Sequence, residues 1–226
     1  MSALGLLDTK LRRVYRRFAP VSPLRTADRI DDVLYLDDHD IMLAKLGFQW
    51  GDLGDSRTLL LLCRLVASGY APVFEFGTFR GRTTYNMALN LSRDSDEVVS
   101  LDGGAVDDSE ANIESRAYPA HTPGELILSA PTTIRKRVKL ISANSTQFDF
   151  SPYQRQFRLV FVDGGHSYEV CMSDSRHAFE LLQPGGIVVW DDYNDFWPGV
   201  KKALDELSKT RPITLVRSEN LVVCCT

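Results

Sequence analysis

The chain has 226 residues, 44% of them apolar and 25% charged, with a formal net charge of −4. That balance excludes a wholly disordered chain and lacks the basic excess of proteins that grip nucleic acid phosphates. No run approaches the roughly 20 apolar residues of a membrane span, and the four cysteines form no zinc spacing and no disulfide framework.

Residues 8–18 place Leu11, Val14, Tyr15 and Phe18 at helical spacing, with basic residues opposite. This reads as a surface helix on the domain, or as a basic amphipathic helix for an anionic membrane or a partner. The basic residues follow the short apolar patch Leu4–Leu7, which is not the order of a signal peptide. Residues 1–51 are therefore expected to form a helical extension without strands, with residues 39–48 irregular to helical. Residues 56–68 read as a helix, with Ser56 as its N-cap and Gly69 as its stop.

From residue 72 the pattern changes. Pro72–Phe76 is a short apolar run ending at Gly77, as a buried strand would be. A helix is expected from Arg82 to Leu91 and a strand at Glu97–Leu101. The connection 103–136 is long enough to hold a helix and a functional loop. Further strands are expected at Val138–Ser142, Arg158–Val162 and Ile187–Trp190. A helix over 168–182 should end at Gln183-Pro184-Gly185-Gly186. Pro198 suits the first turn of a helix running to Lys209. Ile213–Val216 and Leu221–Cys225 read as a closing antiparallel hairpin. Strands alternating with helices give an α/β domain over residues 52–226, a mostly parallel sheet covered on both faces.

Ligands of such sheets sit beyond the carboxyl ends of the strands. Those ends carry Glu75-Phe-Gly77-Thr78-Phe-Arg-Gly81-Arg-Thr83, Asp102, Asn144-Ser145, Asp163-Gly-Gly-His166 and Asp191-Asp192. Gly77 allows a turn and a close approach that a side chain would block. Gly81 opens a helix whose free N–H groups, with the Thr83 hydroxyl, could receive an anionic group. The G-x-x-x-G spacing lacks the middle glycine of the dinucleotide pattern and the lysine of a P-loop, so it is weak alone. Asp102 could accept both hydroxyl protons of a ribose.

Glu75–Thr83 resembles motif I of the class I S-adenosylmethionine (SAM)-dependent methyltransferases, in the catechol-type O-methyltransferase branch. Asp163–Glu169 and Leu181–Gly186 followed by Trp190–Tyr193 resemble the related methyltransferase 24 family. The resemblance implies a Rossmann-like seven-stranded sheet with an antiparallel last strand. It implies that Gly77, Thr78, Gly81 and Thr83 hold the methionine end of SAM while Glu75 orients the turn. Asp102 would bind the ribose, Asn144 and Ser145 would lie near the adenine, and Asp163 would stand where cofactor meets acceptor. Asp163, Asp191 and Asp192 match the carboxylates that hold a divalent ion, Mg²⁺ by preference, in metal-dependent members. His166 stands where the catechol-type enzymes have a lysine base. It is a candidate base, or a structural partner of Asp192, or the cap of the next helix. Tyr168 and Tyr193 read as pocket walls.

The implied function is SAM-dependent methyl transfer to the hydroxyl of a small-molecule acceptor, by a cytoplasmic enzyme with reduced thiols. Neither the acceptor nor a homo-oligomeric state can be read from the sequence. Two alternatives stand beside this reading: an NAD(P)-dependent oxidoreductase on a similar sheet, and a non-catalytic SAM-binding protein.

Overall fold

The computed structural model describes residues 24–36, 39–44, 46, 56–103, 122–218 and 221–226. The helix expected over 8–18 and most of the 103–136 connection lie outside these residues.

The strands are β1 (Arg25–Ala27), β2 (Val73–Phe76), β3 (Val98–Asp102), β4 (Val138–Ser142), β5 (Phe157–Val162), β6 (Leu182–Trp190), β7 (Thr214–Val216) and β8 (Leu221–Cys225). The helices are α1 (Ser56–Ala67), α2 (Arg82–Leu89), α3 (Glu125–Leu128), α4 (Thr132–Arg135), α5 (Tyr168–Leu181) and α6 (Pro198–Leu207). One eight-stranded sheet runs in the order β1-β7-β8-β6-β5-β2-β3-β4. Neighbours are parallel except at β8, which is antiparallel to both β6 and β7. This is the mostly parallel α/β sheet expected from the alternation, and the Rossmann-like arrangement implied by the resemblance, with one strand more.

The additional strand is β1, which lies in the segment expected to be purely helical. It pairs in parallel with β7, and Arg217 and Ser218 donate backbone N–H groups to Ala27 and Asp28. A second departure concerns Gln183–Gly186, expected as a loop. The strand begins at Leu182, which pairs with Phe157, and the ladder breaks before resuming at Leu159 and Ile187. The Pro-Gly-Gly stretch is thus a bulge inside one strand, with Gly185 at φ +77°. Of the 103–136 connection, the described part holds the short helices α3 and α4.

Alternation along the central strands sends side chains to two cores. Phe74, Phe76, Val160, Val162, Val188 and Trp190 pack with Cys171, Ala178 and Leu181 of α5 and Val200, Ala203 and Leu204 of α6. Val73, Leu159, Phe161, Ile187 and Val189 face the other way, onto Leu61, Leu62, Leu65 and Val66 of α1 and Met87 and Ala88 of α2. Both faces are therefore dry, as a parallel sheet requires. Each fully buried side chain contributes about 1.5–3 kcal/mol of transfer free energy.

The chain lays β3 and β4 on one side of β2 and then returns to place β5 on the other side. That reversal is a topological switch point, where the crossovers diverge and leave a crevice at the strand ends.

Candidate functional site

The crevice floor is built where β2 and β5 end side by side. Gly77 has φ +88°, and a Cβ there would stand 1.9 Å from the Asp163 carbonyl oxygen. The glycine thus allows the two strand ends to touch; the close approach is made by Asp163's own backbone. Gly81, at φ +90°, opens α2 beside Ile127 of α3, whose Cγ1 would lie 3.0 Å from an added Cβ. Between the glycines, Phe79 also sits at positive φ and donates its N–H to Asp102 Oδ2 at 2.7 Å. The Asp102 carboxylate is thereby tied to the turn beside it.

Glu75 is fully buried beneath this turn. Its Oε2 accepts hydroxyl protons from Thr84 and Ser100, both at 2.5 Å, while Oε1 has no hydrogen-bond partner. Burial pushes its pKa up to about 7, opposed by the Ser100 and Thr84 hydroxyls and reinforced by the Asp102 charge. The Thr78 and Ser100 hydroxyls share a further bond of 2.6 Å. Glu75, Thr78, Ser100 and Thr84 therefore stitch β2, β3, the turn and α2 together. Arg80 pairs with Glu125 and fastens the same turn to α3. Thr83, one position before the helix residue that reaches Glu75, is half-buried.

Beyond β4, Asn144 Oδ1 accepts from the backbone and the hydroxyl of Thr146, at 2.9 and 2.8 Å, closing a local turn. Burial pushes the pKa of Asp174 in α5 up to about 7, and the Ser145 hydroxyl opposes that shift.

A second cluster stands beyond β5 and β6. Ligand atoms of Asp163, His166 and Asp192 lie within 4.8 Å of one another. His166 Nε2 is 2.7 Å from Asp192 Oδ2, and its ring stacks on Trp197 with centroids 3.7 Å apart and planes 9° apart. Asp192 has φ +63°, and its N–H donates to Asp191 Oδ1 at 2.8 Å. Asp163, His166, Asp191 and Asp192 border a cavity of about 10 Å³, the space of a single water or ion. Burial and the charges of Asp191 and Asp192 push the Asp163 pKa well above the carboxylate range, while His166 opposes this. Such mutual repulsion is relieved by a proton or a cation.

Other polar groups have structural partners. The Tyr168 hydroxyl donates to Glu206 Oε2 at 2.9 Å and that of Tyr193 to Asp205 Oδ1 at 2.5 Å, so both rings are fastened to α6. His177 bonds Glu180 and stacks on Phe150, far along α5 from the strand ends. Burial raises the Cys63 and Cys171 thiols to about 12 and Cys224 to about 11, which leaves no thiolate nucleophile among them.

Ser100, Thr84 and Asp174 were given no role in the sequence. Ser100 could have been found as the one polar residue inside the apolar run Val98–Leu101. Asp174 interrupts the buried stripe Cys171, Ser175, Ala178 of α5 in the same way.

The methyltransferase-domain family matches residues 74–193, just over half of the chain. The chain belongs to this methyltransferase family. The match spans the Gly77–Gly81 turn, Asp102, and the carboxylate pair at Asp191–Asp192, and it removes the oxidoreductase alternative. Among curated proteins, Uncharacterized protein R132 of Acanthamoeba polyphaga mimivirus is 23% identical over 136 residues, covering 59% of this chain. The aligned region spans 57% of that protein. Among solved structures, the O-methyltransferase NovP superposes with a TM-score of 0.59 at 18% identity, over 75% of this chain and 79% of that one. The O-methyltransferase TomG from Streptomyces achromogenes, solved in complex with SAM, gives 0.52 at 16% identity, over 78% and 82%. At these identities both show the shared fold. Among the described residues, no helix is long and apolar enough to cross a membrane.

Proposed function

We propose that the chain is a SAM-dependent O-methyltransferase acting on the hydroxyl of a small molecule; NovP and TomG are O-methyltransferases by name, and TomG was solved with SAM. The observation that carries this reading is the juxtaposition of two clusters across the β2–β5 switch point, where Gly77 meets Asp163. On one side lie the Gly77–Gly81 turn and Asp102, suited to a nucleoside with a charged amino-acid tail. On the other lie Asp163, His166, Asp191 and Asp192, suited to an acceptor hydroxyl.

SAM supplies the sulfonium methyl. Asp102, held by the Phe79 N–H, presents a carboxylate to the ribose hydroxyls. The N–H groups at the start of α2, with Thr83, would receive the methionine end, the buried Thr78 would act through the turn by its bond to Ser100, and the loop at Asn144 and Ser145 would border the adenine. Glu75 acts through the turn it supports. The acceptor hydroxyl lies toward Asp163 and His166, in line with the methyl group, so that positioning provides much of the rate.

His166 is the base. Its Nε2–H donates to Asp192, which fixes the tautomer whose Nδ1 carries the lone pair. Stacking on Trp197 holds the ring plane, and Asp192 stabilises the imidazolium once the hydroxyl proton arrives. The donor set also fits a divalent ion. Asp163, His166 and Asp192 offer oxygen and imidazole ligands around an ion-sized cavity that Asp191 also lines. Mg²⁺ there would lower the pKa of a hydroxyl brought against it. We place the protein in the cytoplasm, where its free thiols stay reduced.

The test is methyl transfer from isotopically labelled SAM to a panel of phenols, sugars and natural-product hydroxyls, followed by mass spectrometry. Labelled product supports the proposal. SAM binding without transfer to any acceptor favours the non-catalytic alternative.

A further inference from the structure

We infer that the groove between α5 and the C-terminal end of α6 is a binding site for a small anion with an apolar body. It lies at the edge of the sheet opposite the crevice, beside the start of β5 and the approach to β7. It is therefore separate from the proposed cofactor and acceptor sites and does not depend on them.

The groove has a volume of about 580 Å³, within the roughly 300–1,000 Å³ of small-molecule pockets. Its apolar floor is Met172 and Phe179 of α5 with Leu207, the last residue of α6. All three are only partly buried, resting on the core with one side and lining the groove with the other. Phe179 is seated on Trp190, with ring centroids 5.9 Å apart. Three arginines border the same space: Arg176 of α5, Arg155 in the turn before β5, and Arg211 in the turn after α6.

The three arginines are exposed, and among the described residues none has a carboxylate at ion-pair distance. Arg64, Arg80, Arg137 and Arg217, by contrast, each face one. Glu180 also borders the groove, but its Oε2 is bonded to His177 Nδ1 at 3.1 Å. Three cations thus meet one acid, in a chain whose net charge is −4. Two of the cations are fixed without a counter-ion. The Arg211 guanidinium sits 4.5 Å over the Phe179 ring, a cation–π contact that lays it on the apolar floor. Arg155 has φ +55°, a region that glycine or asparagine enters at lower cost. Its turn is fastened by backbone alone, with Arg155 and Gln156 donating N–H groups to the carbonyls of Glu180 and Leu181 at 3.0 Å. The guanidinium plays no part in that fastening.

A guanidinium fork matches carboxylate, sulfonate or phosphate oxygens. An anion whose apolar part covers Met172, Phe179 and Leu207 would satisfy both halves of the groove. Size favours a small molecule over a protein, since a standard interface engages about 20–30 residues a side.

The probe is anilinonaphthalene sulfonate (ANS), a sulfonate on an apolar aromatic body. It is titrated by fluorescence into the full chain, with and without saturating S-adenosylhomocysteine (SAH) to occupy the crevice. The titration is run well below the melting temperature, because ANS also binds loosened chains. One ANS per chain is expected in both cases. Exposed ion pairs contribute modestly, so each of R155Q, R176Q and R211Q is expected to raise the Kd about 2- to 5-fold. The triple variant is expected to raise it about 10- to 100-fold. Inorganic sulfate, which has no apolar part, is expected to displace ANS only at a concentration about 100-fold higher or more.

No ANS bound by the folded wild type, displacement of ANS by SAH, or a folded triple variant with unchanged Kd overturns the inference. Displacement by sulfate at the concentration of ANS itself does so too, since the groove would then read charge alone. A dimer in sedimentation that excludes ANS and that R176E dissociates would make the groove an interface between copies, and the small-anion reading would fall. Should the triple variant not fold, unchanged Kd values in all three single variants overturn the inference. Failure of SAH to bind leaves the ANS titration intact and counts against the cofactor reading alone.

Discussion

Replacing Gly77 with alanine separates backbone strain from steric exclusion at the crevice floor, because other glycines of the chain provide the control. Gly77 and Gly69 have almost the same positive φ, +88° and +87°. An alanine forced into that left-handed region costs roughly 1–2 kcal/mol at either position. At Gly69 an added Cβ meets nothing within 4 Å, so strain is the whole effect. At Gly77 the same Cβ would lie 1.9 Å from the Asp163 carbonyl oxygen and 2.6 Å from its carbon. Neither atom can rotate away, since both belong to the backbone at the end of β5. The strand ends must part, at a further cost of about 1–3 kcal/mol typical of overpacking. For a chain of this size each kcal/mol corresponds to roughly 2–4 °C in Tm. G77A is therefore expected to melt about 2–12 °C below G69A. Parting the ends of β2 and β5 also spreads the two halves of the proposed site, so G77A is expected to lose SAH affinity while G69A keeps it. Differential scanning fluorimetry and calorimetric titration read both effects. Equal melting points and equal affinities for the two variants would refute the reasoning.

Other expectations concern single groups. Asp102→Ala should weaken SAH binding about 10- to 150-fold, the loss of hydrogen bonds to a charged group, as read by calorimetry. His166→Ala should lower kcat by roughly 10²–10⁴-fold, the usual contribution of a general base, with SAH affinity within a few-fold of wild type. Loss of SAH binding in that variant would instead assign His166 to the cofactor. Glu75 has its folded pKa raised to about 7 from 4.5. Its contribution to stability is full below pH 4.5 and falls as pH rises to about 7, after which it is constant. Urea midpoints measured against pH should therefore decline less steeply between pH 5 and 7 in E75Q than in the wild type. Chelation followed by Mg²⁺ titration should lower and then restore turnover if the Asp163 cluster holds an ion; undiminished turnover assigns the hydroxyl proton to His166 alone.

What could be read from the sequence followed from how strongly each element is written there. The buried strands Val73–Phe76 and Phe157–Val162 are largely apolar runs, and with the partly exposed edge strand Val138–Ser142 they lie within a residue or two of where they were expected. Arg25–Ala27 is too short to show alternation, and its pairing with Thr214–Val216 depends on a segment nearly 190 positions away. The Pro-Gly-Gly stretch looked like a loop because its composition is that of one. It stays within a strand because Leu182 finds Phe157 across the ladder. Gly77 was recognisable as a turn residue, but not the atom that excludes its side chain, which comes from β5. The carboxylates could be located at strand ends from the pattern alone. The His166–Asp192 bond was one of the roles the sequence left open to His166, whereas the Trp197 stack could not be read there, since it joins segments 31 positions apart. The Glu75–Thr84–Ser100 link depends on the pairing of β2 with β3, so the choice of Thr83 over Thr84 could not be tested by spacing.

The most direct measurement is a crystal structure of the chain with S-adenosylhomocysteine. The account requires the adenosyl group in the crevice between the ends of β2 and β5, with its ribose hydroxyls within hydrogen-bond distance of Asp102 and its sulfur facing Asp163 and His166. A nucleoside bound elsewhere on the chain, or a ribose that makes no contact with Asp102, would contradict it.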